Sequence, residues 1–116
     1  MEIKVNVNKT DWGIVKIFSN EDNTIRFALY TYNDDNETIY LSNLFVNESL
    51  RKNGYGNRII EWVFDYAKSR SFKTIILNVA KNSWMEKWYE RKGFKYLEDC
   101  EDDGYKGNVW LKKDLC

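Results

Sequence analysis

Along the first 46 residues, apolar and polar positions alternate with a period of two. In "EIKVNV" (2–7), Ile3, Val5 and Val7 mark one side of a predicted half-buried strand. "GIVKIF" (13–18) predicts a second strand, "IRFALYTY" (25–32) a third and "TIYLSNLFV" (38–46) a fourth. The polar clusters "SNEDN" and "NDDN" separate them as turns. This segment therefore predicts an antiparallel meander.

After it the period lengthens. From Gly54 to about Ser69, Tyr55, Ile59, Val63, Tyr66 and Ala67 recur at helical spacing, with Ile60 and Phe64 widening the stripe. "KTIILNV" (73–79) is a continuous apolar run, expected of a central strand covered on both faces. Asn82 or Ser83 suits the cap of a second helix, whose apolar face would carry Trp84, Met85, Trp88 and Tyr89, and Gly93 suits its end. "FKYL" (94–97) and "NVWLKK" (108–113) predict two closing strands around the acidic loop "EDCEDDGYKG". The order is ββββ-α-β-α-ββ. It predicts an α/β (α+β) fold: a mixed, mostly antiparallel sheet of about seven strands with two main helices. With no linker and no repeat, residues 1–116 are expected to form one domain.

Composition removes several functions. Eighteen basic and eighteen acidic residues cancel, which argues against a nucleic-acid binder working by phosphate neutralisation. No apolar run approaches a membrane span, and "MEIKVNVNKT" has no signal-peptide core. There is no histidine, so Ser-His-Asp and Cys-His nucleophile schemes and histidine-ligated metals are excluded. Two cysteines, Cys100 and Cys116, make no zinc site by themselves; no metal is expected, and a reduced cytoplasmic protein is the default. Cys100 sits among carboxylates, which favour the thiol over the thiolate. Any acid or base must come from Asp, Glu, Tyr, Lys or water.

The chemistry concentrates at "VNESLRKNGYGNRIIEW" (46–62), where two of six glycines, Gly54 and Gly56, sit at a helix start. Without a Cβ the chain turns tightly there and its amides come close to a ligand. Amides at a helix N-terminus favour a phosphate, and Arg51, Lys52 and Arg58 add positive charge. By itself the pattern also fits a plain strand-to-helix turn. It is no dinucleotide fingerprint, since Ile59 stands where a third glycine belongs.

Val46, Arg51, Gly54 and Gly56 match V-x-x-x-x-R-x-x-G-x-G, which resembles the acetyl-coenzyme A signature of the GNAT superfamily of N-acetyltransferases. "NSWMEKWYERKGF" (82–94) is similar to that family's N-x-x-A-x-x-L-Y-x-x-x-G-F segment, with Asn82, Tyr89, Gly93 and Phe94 in register. The resemblance runs from about Leu41 to the C-terminus. It implies that the backbone of Leu44, Phe45 and Val46 pairs with the pantetheine arm between diverging fourth and fifth strands. Main-chain amides of Arg51, Lys52, Asn53, Gly54, Tyr55, Gly56 and Asn57 would hold the pyrophosphate. Asn82 would bond the cofactor near its thioester. Tyr89 would place its hydroxyl by the sulfur as catalytic acid; its ring also suits the helix's apolar face. An amide near Phe45 or Val46 would receive the thioester oxygen. The implied reaction is direct transfer of acetyl from acetyl-coenzyme A to a primary amine.

Two departures bear on that reading. Many members carry a glutamate on the fourth strand as general base, at or near the place of Ser42; "YLSNLFV" holds no carboxylate, and Glu37, Asp34 and Asp35 are the nearest in sequence. Members also usually have two helices between the first two strands, for which "NKTDWG" is too short. Met85 and Trp88 stand where smaller or aliphatic residues are usual. An open acceptor side favours a large acceptor, a protein lysine or N-terminus, and leaves an uncovered sheet edge for a homodimer. The alternative is a non-catalytic module that binds the cofactor, or another protein, on the same fold.

Overall fold

The computed structural model describes residues 3–47, 54–97 and 107–115, apart from the side chain of Asn43. The elements are β1 (Ile3–Lys9), β2 (Gly13–Asn20), β3 (Ile25–Tyr32), β4 (Asp35–Val46), α1 (Tyr55–Ser69), β5 (Thr74–Ala80), α2 (Trp84–Arg91), β6 (Lys95–Tyr96) and β7 (Asn108–Asp114). They build one seven-stranded sheet in the order β1-β2-β3-β4-β5-β7-β6. All neighbours are antiparallel except β4 and β5. This is the mixed sheet that the changing periodicity predicts. The β1–β2 connection holds only Thr10, Asp11 and Trp12, and the Thr10 side chain closes it by bonding both the amide and the carbonyl of Gly13.

The core lies on one face of the sheet. Leu29, Ile39, Leu41, Ile75, Leu77 and Leu111 point from the strands onto Ile60, Val63, Phe64 and Ala67 of α1, and all are buried. Tyr89 of α2 and Phe94 close the far side, with their rings 5.3 Å apart. Covering one face explains why helix periodicity was so clear in 55–69: the buried stripe there is Ile59, Ile60, Val63, Phe64 and Ala67.

The opposite face carries no helix among the described residues. A row of rings crosses it, Trp12 to Tyr30 (5.9 Å), Tyr30 to Tyr40 (5.2 Å) and Tyr40 to Trp110 (5.4 Å). Two expectations are corrected by this one-sided packing. The run in β5 is not covered on both faces: Ile75, Leu77 and Val79 are buried while Thr74, Ile76 and Asn78 are half-buried. β1 is not half-buried but exposed along its length. It is the outermost strand, and α1 packs over strands nearer the centre.

Candidate functional site

The parallel ladder between β4 and β5 is short. It joins Thr38 to Thr74, Ile39 to Ile75 and Tyr40 to Ile76, and then stops although both strands continue. A register shift explains the parting. Arg26 faces Phe45 and Ala28 faces Ser42, so β4 carries an extra residue opposite Phe27. Such a bulge bends its strand, here away from β5. A space of about 350 Å³ opens between them, lined by Leu41, Leu44 and Phe45 from β4, Leu77, Asn78 and Val79 from β5, and Met85 and Tyr89 from α2.

Beside this gap, a hollow of about 240 Å³ reaches the start of α1. Leu44, Phe45, Val46, Gly54, Gly56, Asn57, Trp84, Met85, Trp88 and Tyr89 line it. Gly54 takes the N-cap position in the left-handed region, φ 76°, and no side chain caps the helix. A β-branched residue would be strained there. The first-turn amides of α1 have no acceptor within the helix, and no acidic side chain lies in that turn. The hollow therefore combines an apolar wall with a helix N-terminus suited to an anion. That fits a ligand with a slender arm of alternating methylene and amide groups and a phosphate group, and coenzyme A has both.

Tyr89 is 2 % exposed and lines both spaces. Its hydroxyl has no hydrogen-bond partner among the described residues. Burial holds its pKa well above the ordinary tyrosine range. It therefore keeps its proton through neutral pH and holds it more tightly than an exposed tyrosine does.

Of the two cap candidates before α2, Ser83 is the N-cap; its hydroxyl accepts from the Glu86 amide at 3.2 Å. Asn82 adopts a left-handed conformation, φ 62°, and its amide donates to the Glu86 carboxylate, which also accepts the Tyr96 hydroxyl. Glu86 is 3 % exposed. The Tyr96 hydrogen bond, with smaller help from the Asn82 amide, Lys81 and Lys87, outweighs desolvation and holds its pKa below the ordinary range.

Of the residues singled out in sequence, Leu44, Phe45, Val46, Gly54, Gly56, Asn57 and Tyr89 meet at the hollow. Asn82 is not among its lining residues. The side chains of Tyr55 and Arg58 turn instead to a second hollow, with the Arg58 guanidinium 5.6 Å from the Tyr55 ring centre. Arg51, Lys52 and Asn53, the acidic loop from Glu98 to Asp103 and both cysteines lie outside the described residues. Trp84, Met85 and Trp88 line the hollow although their spacing reads as helix packing. Sequence offered one signal for this, the unusual bulk of Met85 and Trp88 at their positions.

The neighbouring carboxylates stand elsewhere. Glu37 pairs with Lys73 at 3.2 Å, and Asp35 accepts from the amides of Glu37 and Thr38. Asp35 pairs with Tyr32 and Ser42 with Ala28, so four residues of β3, about 13 Å at ~3.3 Å per strand residue, separate them along the ladder. Among the described residues, no carboxylate lines the gap or the hollow.

The profile of the acetyltransferase (GNAT) family matches residues 8–94. The chain belongs to that family. Solved structures agree in fold. An acetyltransferase from Bacillus cereus is 20% identical with TM-score 0.64, over 97% of this chain and 73% of that one. An aminoglycoside 6'-N-acetyltransferase complexed with coenzyme A is 17% identical with TM-score 0.68, over 92% and 75% of the two chains. N-acetylglutamate synthase from Neisseria gonorrhoeae, complexed with coenzyme A and N-acetyl-glutamate, is 16% identical with TM-score 0.69, over 88% of this chain and 26% of that one. No curated protein matches in sequence.

Proposed function

We propose that this protein is an N-acetyltransferase that moves acetyl from acetyl-coenzyme A to a primary amine, a protein lysine or N-terminus being the favoured acceptor. The observation that carries the reading is the junction of the β4–β5 gap with the uncapped α1 N-terminus at Gly54. Bound acetyl-coenzyme A would supply the thioester carbonyl that the amine attacks. The amides of Gly54, Tyr55, Gly56 and Asn57 would hold its pyrophosphate, with Arg51, Lys52 and Asn53 completing the loop. The apolar walls from Leu44, Phe45, Val46 and Met85 would exclude water along the arm.

Tyr89 would act as acid toward the departing sulfur, since it lines both the gap and the hollow and its hydroxyl has no competing partner among the described residues. The β4–β5 ladder described ends at Tyr40, and a β4 amide near Phe45 or Val46, on the stretch that follows, would receive charge on the carbonyl oxygen. Asn82 is proposed for contact near the thioester, by rotation of its side chain from the turn. The amine, with a solution pKa of about 10.4 for lysine, would lose its proton to water. The helix-free face, with Ser42 and Tyr40 on β4 and Asn78 on β5, gives a large acceptor access to the gap.

One observation favours a second reading: with no carboxylate lining the gap among the described residues, the protein would bind the cofactor without turnover. The test has two stages. Acetyl-coenzyme A at about 100 times its Kd should stabilise the wild type by ~2.7 kcal/mol, and Gly54→Val should lose that gain. Mass spectrometry of an amine or peptide library should then find acetylated product. Binding without product selects the second reading; no binding to folded protein rejects both.

A further inference from the structure

β1 leaves an apolar row uncovered. Ile3, Val5 and Val7 are 42, 50 and 52 % exposed. Val5 lies beside Phe18 and Val7 beside Lys16 in the ladder with β2, which puts the row on the helix-covered face. Yet α1 does not reach it. Trp62 closes over Phe18 and Phe27, with ring centres at 5.2 and 5.9 Å, and a hollow of about 260 Å³ remains between Trp62 and the Ile3 and Val5 side chains.

The backbone is equally unfinished. β2 pairs with one side of β1 over all its residues, and β1 ends the sheet, so its other side has no ladder among the described residues. Natural edges of this kind are blunted by proline, bulges or charge. β1 has no proline and its ladder has no register shift; it does carry the edge lysines Lys4 and Lys9, and the pairing below sets neither against another lysine.

We propose that this edge pairs antiparallel with the same edge of a second copy, about a two-fold axis at Val5, so that one sheet runs through both chains. The register follows from self-complementarity, since a two-fold interface sets residue i against j and j against i. With the axis at Val5, Ile3 faces Val7 of the second copy and Val5 faces its own counterpart. The two apolar rows then merge on one face. On the other face Lys4 meets Asn6. Moving the axis one residue toward the N-terminus sets Lys4 against Lys4, a like-charge pair. Moving it one residue the other way sets Ile3 against Lys9. A second copy thus pairs the free ladder and covers the open side of the apolar row beside the hollow. This inference does not depend on the cofactor reading.

The full chain should sediment at twice the 13.9 kDa of one chain, and Val5→Lys should sediment as monomer with an unchanged circular dichroism spectrum. In a C100S/C116S background, Val5→Cys should cross-link under mild oxidation, because a residue on the axis faces its copy at about 4.5–5.5 Å between Cβ atoms. Val7→Cys should not, because it faces Ile3. A wild type that is monomeric at micromolar concentration overturns the proposal. So does a dimer that survives Val5→Lys, or cross-linking by Val7→Cys equal to that by Val5→Cys.

Discussion

Two hollows flank α1, and they are nearly the same size, about 240 Å³ at its N-terminus and about 260 Å³ along its side above β1. Both are walled by apolar and aromatic residues. The first opens onto an uncapped helix end and parted strands; the second opens onto an unpaired edge. Apolar volume alone therefore does not say what a hollow takes. The backbone groups at its mouth decide: dispersed amides at a helix start suit a phosphate ligand, and a regular row of strand amides suits another strand.

The largest expected effect lies at the first hollow. Tyr89→Phe should lower kcat by about 10²–10⁴-fold and leave acetyl-coenzyme A affinity nearly unchanged, as read by steady-state kinetics beside calorimetric titration. A fall in affinity with kcat preserved would make Tyr89 a wall residue only. The pH dependence sharpens this further. With no carboxylate lining the gap among the described residues, kcat/KM for a lysine acceptor should rise about tenfold per pH unit from pH 6 toward the amine pKa near 10. Because burial raises the Tyr89 pKa, its ionisation should impose no falling limb below about pH 10. A plateau beginning near pH 7 would reveal a protein base.

At the second hollow the outcome should be one of stability. Trp62 packs on Phe18, Phe27 and Tyr66 but is 43 % exposed. Trp62→Ala should cost about 2 kcal/mol in urea unfolding, less than the 3–5 typical of a fully buried ring, with cofactor affinity intact. Cofactor affinity that fell with it would show the two hollows to be coupled.

Glu86 gives a smaller, pH-dependent effect. Its folded pKa is depressed, chiefly by the Tyr96 hydroxyl, so its contribution is present above the unfolded carboxyl value near 4.3 and is lost as pH falls through the lower folded value. The Tm difference between wild type and Glu86→Gln should be largest near pH 7 and shrink below about pH 4. The smallest effect is the most discriminating. A Cβ on Gly56 would meet only the Trp88 ring, at 3.5 Å, so Gly56→Ala should fold as well as the wild type or gain up to ~1 kcal/mol. If the α1 amides hold a pyrophosphate, the same methyl should still weaken acetyl-coenzyme A. Unchanged affinity would move the ligand away from Gly56.

Much of this was readable in the chain. The alternation through residue 46 and the stripe from Tyr55 to Ala67 gave the element order, because each period reports which side of its own element is apolar. Periodicity does not report what covers that side. Ile3, Val5 and Val7 alternate as cleanly as Phe27 and Leu29, yet only the latter pair is buried. The parting of β4 from β5 depends on one extra residue opposite Phe27, a property of two strands together. Gly54 and Tyr89, which line the hollow, were legible as candidates because their motif spacing carries them. Trp84 and Trp88 were not, since a ring lining a hollow and a ring filling a core look alike in sequence. Glu86 was missed for a similar reason: a helix glutamate is ordinarily solvated, and its burial depends on Tyr96 arriving from β6.

The three-pair ladder between β4 and β5 has a further consequence, for cooperativity. Among the described residues it is the only strand pairing that joins the first four strands to the last three. The sheet thus divides into two antiparallel parts joined by a short seam, with α1 packed across them. Amide hydrogen exchange should report a lower opening free energy for the seam than for the β2–β3 or β5–β7 ladders on either side. A ligand lying between β4 and β5 would bridge that seam, so binding would be read in exchange protection on both sides of the sheet at once.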